Sequence, residues 1–78
     1  MKETLADLKR GEKAVISDTS SNEIPLKLLE MGCLPGNEVS LVAVRQFSDP
    51  MYLNISGTHL AIRKETAQHV LIEKITHE

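Results

Sequence analysis

The chain has 78 residues, with nine Lys or Arg against eleven Asp or Glu and a net charge of −2. That length makes one small domain over residues 1–78, able to bury only about 60% of the surface its unfolded form exposes, so a roomy internal pocket is not expected. The charges are scattered with no basic run, and Phe47 and Tyr52 are the only aromatics, which excludes a nucleic-acid binder that works by phosphate neutralisation or base stacking.

The N-terminus, Met1 to Asp7, has no apolar core and carries acids early, so it does not read as a signal peptide. Leu5 and Leu8 make one apolar turn that Gly11 ends, so residues 4–10 are expected as a helical turn at one end of the fold. Residues 12–17 carry Ala14, Val15 and Ile16 and read as a first strand. A polar connection from Asp18 to Asn22 follows, with Ser20 and Glu23 at capping-box spacing. The helix is expected over residues 23–31, with Pro25 in its first turn and Ile24, Leu28 and Met31 facing inward. Gly32 suits the left-handed position after the helix. Leu34-Pro35-Gly36-Asn37 fits a type II turn, with Pro and Gly at its two central positions.

A second strand is expected over residues 38–45, with Val39, Leu41 and Ala43 on one face and Val42 and Val44 on the other. Being apolar on both faces, it reads as a central or curled strand. Residues 47–50 form a turn, and residues 51–56 alternate, with Met51, Leu53 and Ile55 pointing one way. Gly57-Thr58 marks a tight hairpin before a fourth strand over residues 59–63. Residues 64–68 suit a single 3₁₀ turn, and residues 69–75 form the closing strand. The expected fold is mainly β: a small five-stranded SH3-like barrel, with one short α-helix after the first strand and a helical turn before the last. Curling into a barrel removes exposed strand edges.

In this order the pieces resemble the FeoA family. The resemblance rests on the helix end Leu28-Leu29-Glu30-Met31-Gly32-Cys33-Leu34-Pro35-Gly36, the strand start Glu38-Val39 and the turn Asp49-Pro50. Gly57 and the run from Leu60 to Ala67 complete it. It implies an SH3-like barrel in the cytoplasm that is not an enzyme. Its implied partner is a membrane ferrous iron permease with a GTPase domain (FeoB-like), on which it would dock to support or regulate Fe²⁺ transport. A related module ends iron-dependent transcriptional repressors, so a regulatory domain of that kind is the alternative. Many family members carry arginines at the helix start, where this chain has Pro25, Leu26 and Lys27.

Metal binding has weak candidates in His59, His69 and Cys33, with His77 and nearby acids beside them. No two of these share ligand spacing on one element, so outward-facing strand histidines are the simpler expectation. Cys33 has no sequence partner for a disulfide, which fits a reducing compartment. It also has no motif that would supply a base for nucleophilic chemistry. The four glycines form no phosphate-binding pattern, and no cofactor is expected. With so few aromatics, recognition of polyproline is not supported. No stretch is long and apolar enough to enter a membrane.

The apolar excess at Leu26, Leu29, Met31, Leu34, Phe47 and Met51 is the candidate partner interface, with core as the competing assignment. A paired change, Leu34→Asp with Met51→Asp, is expected to spare the fold and abolish binding. An unpaired barrel edge also leaves room for a weak homodimer.

Overall fold

The structure, a computed structural model, describes residues 3–44 and 49–75. It contains β1 (Glu3–Thr4), a 3₁₀ turn (Leu5–Asp7), β2 (Lys13–Asp18), α1 (Leu26–Glu30), β3 (Glu38–Val44), β4 (Met51–Ile55), β5 (Thr58–Ile62), α2 (Lys64–Ala67) and β6 (Leu71–Lys74). The described strands form one antiparallel sheet in the order β1-β6-β2-β3-β4-β5. The expected mainly β architecture is present, with one strand more than the sequence indicated. The extra strand, β1, has two residues, and only its pairing with Leu71 and Ile72 defines it.

The core lies inside the curled sheet and is aliphatic. Val39, Leu53, Ile55 and Ile16 are buried from β2, β3 and β4, and Leu5, Ala67 and Val70 seal one end. β4 shows the cleanest alternation, with Met51, Leu53 and Ile55 buried and Tyr52 and Asn54 half-buried. β3 is interior in the sheet, as its two apolar faces suggest. A bulge between Leu41 and Ala43 leaves Val42 without a partner on β4, and Val42 is exposed. Such bulges bend a strand and help a sheet curl.

Between β4 and β5 the loop is Ser56-Gly57, with φ of 50° and 92°. Two successive positive φ values give a type I′ turn, whose twist matches the flanking strands. Thr58 therefore starts β5 rather than ending the turn. At the far end, the 3₁₀ turn and α2 pack together, and Leu5 N–H donates to the Val70 carbonyl at 2.8 Å. This bond carries the β1–β6 pairing one residue beyond Thr4 and Leu71.

Four expectations change. α1 begins at Leu26, three residues later than expected, with Pro25 just outside it. The Ser20–Glu23 box does not form, because Asp18 Oδ2 takes the Ser20 hydroxyl at 2.8 Å and Glu23 N–H turns to Ser21 Oγ at 3.1 Å. Pro25 also pushes the residue before it out of helical conformation. The segment 64–67 is an α-turn, not 3₁₀, since Ala67 N–H donates to the Arg63 carbonyl at 2.9 Å. The closing strand starts at Leu71, so His69 lies before it and not on a strand. Arg45, Phe47 and His77 lie outside the described residues.

Candidate docking surface

The helix end is built as its sequence suggests. Gly32, at φ 106°, takes the left-handed position. Its N–H donates to the Leu29 carbonyl at 3.1 Å, and Cys33 N–H donates to the Leu28 carbonyl at 3.0 Å. This bond pair is the Schellman arrangement, which satisfies carbonyls that a helix end leaves orphaned. It turns Cys33 into the core, where it is fully buried. Asn37 N–H closes the Pro-Gly turn on the Leu34 carbonyl at 3.2 Å, and Asn37 Nδ2 donates to the Gly32 carbonyl at 2.6 Å. Gly36 N–H donates to the Ile16 carbonyl, and Ile16 N–H to the Asn37 carbonyl. The turn is thereby pinned to β2, and Leu34 is held outward.

The interface candidates separate by burial. Leu26 is 67% and Leu34 is 44% exposed. Leu29 and Met31 are half-buried against the core. Met51 is 1% exposed and belongs to the core, so it cannot contribute to a surface. The reason is register: Met51 shares a face of β4 with Leu53 and Ile55 and pairs with Ile62. Phe47 lies outside the described residues.

The metal candidates are not brought together. His59 is exposed on β5, His69 is half-buried after α2, and Cys33 is sealed inside. No group of three His, Cys, Asp or Glu among the described residues could hold a metal ion. Burial pushes the Cys33 thiol above its ordinary pKa, which disfavours the thiolate that a nucleophile or ligand requires. No helix among the described residues is long and apolar enough to cross a membrane.

Two open grooves meet along β5, a feature the sequence reading missed. One, of about 500 Å³, runs over Val42, Tyr52, His59 and Ala61. The other, of about 430 Å³, lies between β5 and α1 and is lined by Lys27, Leu28, Met31, His59, Ala61 and Arg63 among others. Lys27 and Arg63 are 36 positions apart in sequence, so no local pattern could have joined them. Asp49 supplies another long-range tie: its Oδ1 accepts the Lys64 N–H at 3.0 Å, capping α2 where it leaves β5. The strand-turn-helix corner that frames the second groove is thus fixed by a residue on the far side of the hairpin.

The described residues thus form a small, mainly β barrel with a capped helix end and two shallow grooves. The FeoA domain model matches residues 3–74. The chain belongs to the FeoA domain family. A Fe(2+) transport protein A/Fe(2+) transporter FeoB fusion protein of Porphyromonas gingivalis (strain ATCC BAA-308 / W83) is 30% identical over 73 residues. Those residues are 92% of this FeoA-family chain and 9% of the fusion protein. FeoA of Stenotrophomonas maltophilia complexed with zinc, described as a unique procaryotic SH3 domain protein, is similar with a TM-score of 0.72 and 29% identity. The likeness covers 91% of this chain and 89% of that one. The IdeR of T. acidophilum is similar over 95% of this chain and 34% of its own, with a TM-score of 0.79 and 18% identity. That last likeness is one of fold. Family and fold agree on an SH3-like barrel of the FeoA domain family.

Proposed function

We propose that this FeoA-family chain acts as a single cytoplasmic accessory module that docks on the GTPase part of a membrane ferrous iron permease and supports or regulates Fe²⁺ transport. The observation that carries this reading is the fusion relative, in which a region similar to this chain shares one polypeptide with a FeoB transporter. Fusion makes an encounter intramolecular, which raises effective concentration when two parts act together. The mechanism is population shift: the module binds one conformation of the permease better than another and biases it. Catalysis belongs to the partner in this reading, and the module itself does no chemistry.

The test is capture of the permease's purified cytoplasmic domain by this chain, read by calorimetry with and without guanine nucleotide. Saturable one-to-one binding supports the reading. Absence of binding in every nucleotide state sinks it. The likeness to IdeR supports a second reading, a regulatory module for a DNA-binding partner. Under that reading a repressor's affinity for its operator would change when this chain is added, and the permease domain would not bind.

A further inference from the structure

We propose that the outer edge of β5 is a strand-addition site, which takes an extended, acidic segment of the partner into the groove between β5 and α1. This proposal rests on the docking reading above and names its surface.

β5 is a terminal strand of the described sheet, paired on one side only, with β4. The two-residue type I′ turn makes Ile55 and Thr58 a hydrogen-bonded pair. Leu60 and Ile62 follow in the same phase and direct their backbone groups to β4. His59 and Ala61, in the opposite phase, direct theirs away from the sheet. Neither makes a turn or loop hydrogen bond with another described residue. The edge thus carries two N–H and two C=O groups in the alternation that an added strand pairs with.

An unpaired edge is not by itself a site, and the groove beside it supplies the rest. Its apolar lining includes Leu28 of α1, Met31 just after it and Leu60 of β5. Among the described residues its two charged lining residues, Lys27 and Arg63, are both basic and exposed, and no acid lines it. In a chain of net charge −2 this is a local reversal of sign. A segment whose carboxylates alternate with aliphatic side chains matches both features: backbone to the edge, aliphatics to the floor, carboxylates to Lys27 and Arg63. A second copy that offers its own β5 does not match, because β5 contains no acidic residue.

The experiment is amide hydrogen exchange by NMR on the full chain, alone and with two probes. One probe is the permease's purified cytoplasmic domain. The other is a synthetic peptide of alternating valine and glutamate, with a valine–lysine peptide as its control. The expected result is that exchange at His59 and Ala61 slows at least about tenfold with either probe and not with the control. Lys27→Glu combined with Arg63→Glu, both at exposed positions, should remove that protection while the free protein's spectrum stays folded. Ala61→Pro removes one outward donor and should weaken binding with the charges intact.

Permease-domain binding that leaves the His59 and Ala61 amides unprotected overturns the proposal while sparing the docking reading. Failure of the permease domain to bind sinks the docking reading, and the peptide arm then decides the edge alone. Protection that rises with the chain's own concentration would assign the edge to a second copy and overturn the proposal.

Discussion

Single side chains at this barrel's ends have roles that follow from their hydrogen bonds. Asn37 is half-buried, and its Nδ2 donates to the Gly32 carbonyl, tying the Pro-Gly turn to the helix end. Asn37→Ala leaves that carbonyl without its side-chain donor and should cost about 1 to 3 kcal/mol, read as a lower midpoint in urea. Asp7 is held below the ordinary carboxylate value of 3.8, first by the Thr4 N–H that donates to its Oδ2 at 2.9 Å. Glu12 is held below 4.5, first by the Lys9 N–H. Lys74 is raised above 10.5, first by its contact with Glu12 and then by Glu3, each at 3.2 Å. A depressed carboxylate stabilises above its unfolded value and loses that contribution as pH falls through its folded one. A raised lysine stabilises below its unfolded value and loses that as pH rises through its folded one. The buried Cys33 thiol, raised above 9.0, adds a further loss once pH passes that value, so stability should be flat between roughly pH 5 and pH 8 and decline on both sides. Asp7→Asn should make the acid limb shallower in urea titrations at stepped pH, and an unchanged limb would show that Asp7 contributes nothing to it.

At the scale of elements, α1 is a five-residue helix with no fully buried residue, and its ends define it more than its length. A helix so short is not stable by propensity. It is held by the Schellman bonds, by Ile24 in the core and by the half-buried Leu28, Leu29 and Met31. Gly32→Ala meets open space, the nearest atom being Asn37 Nδ2 at 3.9 Å, so its cost is conformational and not steric. At φ 106° that cost should be at least about 1 kcal/mol, visible as a lower thermal midpoint with an unchanged far-ultraviolet spectrum. The helix end was legible in the sequence because Gly, Pro and Gly act on their own backbone. The helix start was not, because Asp18 competed for Ser20, and that competition depends on how β2 ends. The bulge at Val42 was equally hidden, since the pairing of β3 with β4 creates it.

For the whole molecule, the sheet decides which apolar residues are surface. Met51→Asp places a carboxylate in the closed core and should unfold the chain, read as loss of β signal by circular dichroism. Leu26→Asp with Leu34→Asp, at exposed positions, should change stability by less than about 1 kcal/mol. It should also weaken partner binding, if the helix end takes part in docking. That pair replaces the Leu34 and Met51 pair that the sequence alone suggested. Cys33 tests the closure of the core from inside. A thiol reagent should react with it slowly in the native protein, and faster as urea opens the fold. Prompt reaction without urea would mean the core is not closed around it.

Sequence by itself determined the alternating strands, the helix end, the hairpin turn and the family, because each is written in neighbouring residues. It also shows no basic run and no phosphate-binding glycine pattern, since both are spacings within neighbouring residues. Only the tertiary structure decided that Met51 and Cys33 are core, that Val42 is exposed, and that Lys27 and Arg63 line one groove beside a strand edge. The physical reason is range. Turns and caps are settled by bonds a few residues long, whereas burial, strand edges and groove charge depend on which distant segments the barrel brings together.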